Sequence, residues 1–336
     1  SLFAATSGSS VATAATVGTV ALPNLKRRGY GSRQALGSLA AGGTLGILIP
    51  PSVNLLIYGS LANESIGQLF IAGIIPGIAL TLLFMVYIAS ESYFIPASDG
   101  EEEAKVPLAM TLAALKHLVP PAIIFAVVGS ILTGIATPTE ASGVGVAAAL
   151  LLGFARGRLQ MDTLQDSMNG AVRSLGMLFF IFVGATSFAY IFRKVGGEHF
   201  IVDLAQSLPF GDWGLLIAMM LMIFVMGFFF DWIEITLIML PIFAPIIKIM
   251  DLGGHVPPAE MIYWFAILVT VNLQTSFLTP PFGFALFYLR GVAPKEVTTG
   301  HIYQGVLPFV LIQVVGIAIL WFFPGIVTIV PDLIPN

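Results

Sequence analysis

From Leu118 to Thr139, and again from Gly214 to Phe230, the sequence runs without a charged side chain. Runs of this length approach or reach the ~20 residues an α-helix needs to cross a bilayer. A bilayer interior offers no water to backbone N–H and C=O groups, so a chain with many such runs satisfies them within helices. The period-2 alternation of a membrane barrel is not visible. Composition agrees: 57% of the 336 residues are hydrophobic and 10% charged, where a soluble domain carries about a quarter. Mean hydropathy is +0.96. The expected fold class is an all-α polytopic membrane protein.

With no cysteine, disulfides, iron–sulfur clusters and thiolate zinc sites are excluded. A net charge of −4 gives no basic patch for nucleic acid. His117, His199, His255 and His301 lie far apart without metal spacing, and no glycine-rich phosphate loop with a lysine supports ATP drive. The 35 glycines and 21 prolines sit inside apolar runs, which suits interrupted membrane helices better than loops. The chain begins Ser1-Leu2-Phe3 with neither Met nor a signal peptide, and its natural N-terminus is expected upstream.

Residues 1–24 read as a small-residue apolar segment with a polar patch at Thr6–Ser10. A span at 34–59 is interrupted near Gly42–Pro51, and a long span follows at 67–95. A charged loop at 97–106 precedes a short interfacial helix at 107–117. Spans are expected at 118–136, 139–155 and 170–192, and another interfacial helix at 198–208. Residues 213–248 are apolar but broken at Phe230–Glu234, and the last spans are 261–289 and 302–323. If residues 25–33 are cytoplasmic and 1–24 and 213–248 are re-entrant hairpins, eleven Lys and Arg fall on the cytoplasmic side. Only Arg193, Lys194 and Lys248 fall on the other.

The chain also resembles itself. Leu48-Ile49-Pro50-Pro51 recurs as Leu278-Thr279-Pro280-Pro281, and Gly73-Ile74-Ile75-Pro76 as Gly305-Val306-Leu307-Pro308. Each Pro-Pro pair follows small or polar residues, Gly42–Gly46 in one half and Gln274-Thr275-Ser276 in the other. On the charge count the two hairpins open to opposite sides, so the repeats are inverted. Inverted repeats with discontinuous helices place a transporter's binding site at mid-membrane, where the breaks meet.

Proline lacks an N–H and clashes with the preceding turn, so carbonyls near Gly46 and Ile47 lose their helical partners. In lipid that is costly unless something binds them, and a cation assisted by Thr44 is a natural partner. The same holds for carbonyls before Pro280, with Thr275, Ser276 and Thr279. Ser7, Ser9 and Ser10 in the first polar patch are hard oxygen donors suited to Na⁺, with Gly8 allowing close backbone approach; tight helix packing would also use such small residues. Asn54 and Asn272 read equally as ligand contacts or interhelical hydrogen bonds. Asp231 and Glu234, at the second hairpin tip, read equally as intramembrane functional acids or as an N-cap and first-turn acid. Thr137-Pro138-Thr139-Glu140 reads as a structural helix start. An intramembrane hydrolase would need a base beside a serine, and no His or Lys accompanies Ser7–Ser10.

Five stretches together resemble the large subunit of tripartite ATP-independent periplasmic (TRAP) transporters: Phe3–Ala14, Gly43–Ser52, Leu69–Gly77, Gly134–Ala141 and Leu278–Gly283. The resemblance covers essentially the whole chain. Trp232 and Glu234 at the hairpin tip, with Asn272–Phe277 in place of a glycine-rich stretch, are similar to its mannitol/chloroaromatic-type subgroup. The resemblance implies an elevator-type carrier in a bacterial or archaeal inner membrane. It also implies Na⁺ as coupling ion, a small four-span partner subunit and a periplasmic substrate-binding protein. One Na⁺ site is expected at Ser7, Ser9, Ser10, Gly43, Thr44 and Gly46, and another at Gly227, Asp231, Thr275, Ser276 and Thr279. Substrate is expected at Ser9, Ser10, Pro50, Ser52, Asn54, Glu234, Asn272 and Pro281. The domains so implied are a first repeat at 1–95, a connecting region at 96–136 and a second, inverted repeat at 137–336. The activity implied is Na⁺-coupled uptake of an organic acid anion. A carrier that works without a binding protein and an uncoupled channel are the alternatives.

Overall fold

The computed structural model describes residues 10–94, 118–197, 200, 203, 211–280, 283, 286, 289–291 and 297–333, and the regular structure among them is helical. In chain order the helices are α1 (Ser10–Arg27), α2 (Ser32–Thr44), α3 (Val53–Ala62), α4 (Ile66–Phe94), α5 (Val119–Leu132), α6 (Pro138–Ala155) and α7 (Met161–Lys194). They continue with α8 (Gly211–Met226), α9 (Trp232–Ile249), α10 (Met261–Leu278), α11 (Thr299–Phe322) and α12 (Gly325–Leu333). Among them α4, α6, α7, α9, α10 and α11 are long and apolar enough to cross a membrane. The chain is an all-α, polytopic membrane protein. The interfacial helix expected at 107–117 lies outside the described residues, as does nearly all of the one at 198–208. Helix α7 starts nine residues before the span expected there, because no proline stops its polar first turns and hydropathy marks only its apolar part.

The helices group into two compact units. One, residues 104–191, holds α5 packed on α6 and most of α7. Helix α6 opens with a capping box. Glu140 Oε2 accepts from the Thr137 N–H at 2.9 Å, and Thr137 Oγ1 accepts from the Glu140 N–H at 3.3 Å. Large apolar side chains such as Phe154 and Phe180 stand exposed, the surface a bilayer solvates.

The other unit, residues 1–103 and 192–336, contains both of the repeated Pro-Pro motifs, Pro50-Pro51 and Pro280-Pro281. Helix α2 packs against α1 and α11, and α10 against α11, α8 and α9. Helix α2 ends at Thr44, tightens into a 3₁₀ turn at Leu45–Ile47, and the chain resumes helix only at Val53. Ser52 joins the two pieces. Its hydroxyl donates to the Ile47 carbonyl at 2.5 Å and accepts from the Leu55 N–H at 3.2 Å as the N-cap of α3. The second interruption falls at Thr279, the C-cap of α10. Helices α8 and α9 form a hairpin whose outer ends meet where Asp212 Oδ2 accepts from the Asp251 N–H at 2.8 Å. Helix α3 runs antiparallel to α10, since Asn54 pairs with Thr270 and Tyr58 with the Ile262 carbonyl.

Candidate functional site

Apart from Thr328, every buried polar side chain among the described residues comes from the two interrupted helices or from α9 and α11 beside them. The first interruption supplies Thr44, Ser52 and Asn54, and α10 supplies Thr270, Asn272, Gln274, Thr275 and Ser276. Helices α9 and α11 add Thr236 and Gln313. Gly43, Gly46 and Pro50 are buried with them.

Apart from Ser52, which donates across the first break, the threonine and serine hydroxyls at both interruptions turn their protons back onto their own helix. Thr44 Oγ1 donates to the Ala41 carbonyl at 2.9 Å. Thr275, Ser276 and Thr279 donate to the carbonyls of Val271, Leu273 and Thr275 at 2.9, 2.9 and 2.7 Å. A hydroxyl has one proton and two lone pairs, so each oxygen keeps acceptor capacity. The result is a set of hard oxygen donors, buried at Thr44, Thr275 and Ser276 and part-buried at Thr279, a donor type that suits an alkali cation better than a transition metal.

Of the residues expected at the first Na⁺ site, Ser7 and Ser9 lie outside the described residues, and only the backbone of Ser10 is described, as the start of α1. Gly43, Thr44 and Gly46 sit together at the end of α2, which α1 covers. Of the second set, Gly227 follows directly on α8, and its Cα packs against the Ser276 side chain. Thr275 and Thr279 stand one turn apart at the end of α10. Asp231 is the N-cap of α9, its Oδ1 accepting from the Trp232 N–H at 2.9 Å.

Of the expected substrate contacts, Asn54 Nδ2 donates to Thr270 Oγ1 at 3.0 Å, and its Oδ1 accepts from Thr236 Oγ1 at 2.9 Å. Asn272 Nδ2 donates to the Met220 carbonyl at 2.7 Å. Both asparagines therefore hold helices together, and Ser52 caps α3. Glu234 lies in the first turn of α9 with its Oε2 buried and unpartnered among the described residues. Pro281 lies outside the described residues. Sequence reasoning missed Thr236, Thr270 and Gln313. The available signal was a lone polar residue inside an apolar span, which does not name its partner.

Residues 1–326 match the family model described as "Tripartite ATP-independent periplasmic transporter, DctM component". The chain is 32% identical over 335 residues to the C4-dicarboxylate TRAP transporter large permease protein DctM of Pseudomonas aeruginosa, covering 98% of this chain and 75% of that one. It is 31% identical over 339 residues to the ectoine TRAP transporter large permease protein TeaC of Halomonas elongata, covering 99% and 75%. It is 28% identical over 336 residues to the sialic acid TRAP transporter permease protein SiaT of Haemophilus influenzae, covering 99% of this chain but only 52% of that protein. Read with the interrupted helices and their buried oxygens, these matches make this a multi-pass inner-membrane transport protein. The chain belongs to the DctM family of large permease subunits of tripartite ATP-independent periplasmic transporters.

Proposed function

We propose that this chain carries the Na⁺-coupled uptake of an organic acid anion, a carboxylate or a sulfonate, handed to it by a periplasmic substrate-binding protein. A small permease subunit accompanies it in the membrane. The observation that carries this reading is that, among the described residues and apart from Thr328, the buried hydroxyl and amide side chains lie at the two interruptions and on the helices beside them. Oxygens in that setting need a cation or a donor, and burying them unsatisfied destabilises the fold. Relatives are named for C4-dicarboxylates, ectoine, sialic acid and isethionate, which share a carboxylate or sulfonate group, and this supports a cargo that carries one.

Bound Na⁺ offsets the charge of the anion and joins the carbonyls at the interruptions to the hairpin tips. Glu234 and Asp231 at the α8–α9 tip then border the anion and the second ion. The hairpins and interrupted helices move together as an elevator, and inward Na⁺ flow supplies the free energy. The test is uptake into proteoliposomes by the complete transporter with its loaded binding protein. Uptake is expected with an inward Na⁺ gradient and lost when K⁺ replaces Na⁺. Equal uptake in K⁺ overturns the coupling. Uptake that persists without the binding protein overturns the delivery step.

A further inference from the structure

Gln313 lies in α11, distant in sequence from both interruptions, yet it reaches the first one. Its Nε2 donates to Thr44 Oγ1 at 3.2 Å, and both residues are fully buried. Thr44 has already committed its proton to the Ala41 carbonyl at 2.9 Å. Its oxygen therefore acts only as an acceptor, which identifies the Gln313 atom facing it as the amide nitrogen. With one lone pair on Gln313 and the proton on Ala41, the Thr44 hydroxyl cannot rotate. One lone pair remains for a ligand.

Gln313 is itself half satisfied. Its Oε1 is buried without a partner among the described residues. A second amide is less satisfied still: Gln274 is fully buried, and neither of its amide atoms has a partner among the described residues. Gln274 lies on the stripe of α10 that includes Ile267, Thr270 and Val271, at helical spacings of three and four. Ile267 borders Gly73 beside the Leu48 carbonyl, and Thr270 bonds Asn54. That stripe faces the first interrupted helix. Buried polar atoms are almost always paired, so an amide left half satisfied at Gln313 and one left unsatisfied at Gln274, on the stripe that faces the first interrupted helix, indicate a ligand that completes them.

We propose that Gln313 is a positioning residue for the cation site at the first interruption. It holds the Thr44 hydroxyl with a single lone pair free for the ion, and its Oε1 becomes satisfied when the site fills. This rests on the reading of that interruption as a Na⁺ site. The cation site is then shared between the two halves of the chain, with α2 supplying Thr44 and α11 supplying the group that aims it.

The experiment measures half-saturating Na⁺ for uptake by the complete transporter, at saturating loaded binding protein. Gln313→Met keeps the side-chain length and removes the amide. It is expected to raise half-saturating Na⁺ about tenfold, the worth of one hydrogen bond. Maximal rate should change by less than about twofold, because the anion's contacts are untouched. Thr44→Val should shift Na⁺ dependence similarly, Thr44→Ser should stay near the unsubstituted protein, and the double variant Gln313→Met/Thr44→Val should be no worse than Thr44→Val alone. An unchanged half-saturating Na⁺, additive effects in the double variant, or a fall in maximal rate alone overturns the proposal. The Na⁺-dependent rise in melting temperature of the purified transporter, read without uptake, should also change in Gln313→Met, or in Gln313→Glu, which keeps the volume and loses the N–H to Thr44, where the first does not yield folded protein; a rise equal to that of the unsubstituted protein overturns the proposal. Na⁺-independent uptake by the unsubstituted transporter is a different result, and it removes the cation site itself.

Discussion

Asn54 holds three helices with one amide: its own α3, α10 through Thr270 and α9 through Thr236. All three residues are buried, so water cannot replace a lost bond. Asn54→Leu leaves the Thr236 hydroxyl without its acceptor and is expected to destabilise the protein by roughly 1–3 kcal/mol. Thermal unfolding in detergent reads this as a lower melting temperature. Adding Thr236→Val removes the orphaned hydroxyl and should restore part of the loss, because a buried polar group left alone costs more than a missing pair. The Thr270 hydroxyl is less exposed to this effect, since its proton goes to the Ala266 carbonyl at 2.7 Å.

Helix contacts in the unit that holds both interruptions rest on glycines placed where backbone meets backbone. A Cβ on Gly73 would come within 2.8 Å of the Leu48 carbonyl oxygen, inside the first interruption. Gly305, the repeated counterpart of Gly73, sits directly on the Arg33 carbonyl, and Gly37 on Gly305. The repeated motif thus carries a repeated task, to let helices α4 and α11 approach a carbonyl without a side chain between them. Gly73→Ala is expected to cost about 1–3 kcal/mol, because the contact is backbone and cannot swing aside. Gly129→Ala, in α5 with nothing within 4 Å of the added Cβ, should be neutral or slightly stabilising. Melting temperatures of the two variants, measured side by side, check the contrast.

In the unit that holds both interruptions, polar ties fall both among the buried side chains of the interrupted helices and at helix ends. At one end Lys248 Nζ lies 2.6 Å from Glu64 Oε1 and donates to the Ala62 carbonyl at 3.3 Å, while Tyr263 Oη donates to Glu64 Oε2 at 3.3 Å. Residues from α9, the α3–α4 corner and α10 meet there. Lys248 is 46% exposed, so its ion pair is screened. Lys248→Met is expected to cost no more than about 1 kcal/mol. High salt should shrink that difference in melting temperature, whereas it should leave the Asn54→Leu difference unchanged. At another helix end Trp213, Trp264 and Trp321 surround His255, whose Nε2 lies 2.7 Å from the Trp321 carbonyl, and Trp264 Nε1 donates to the Leu320 carbonyl at 2.9 Å. Aromatic residues with one polar edge suit such positions.

Much of this was legible before any coordinates. The membrane setting, the helical class and the positions of the interruptions follow from properties local to the chain. Uncharged runs set where spans lie, and a Pro-Pro pair after small or polar residues marked the breaks at Pro50-Pro51 and before Pro280, whereas single prolines such as Pro76 and Pro308 stay inside their helices. Thr137 and Glu140, three residues apart, announced their own cap. Ser52 was legible as polar but not as the bridge across the first break. The partners of Asn54, Thr44 and Gln313 were not legible at all. Asn54 finds Thr270 across 216 residues and Thr236 across 182, and Gln313 finds Thr44 across 269. An amide inside an apolar run states that it needs a partner. Which partner it gets depends on how the helices pack, and no spacing in a single sequence encodes that.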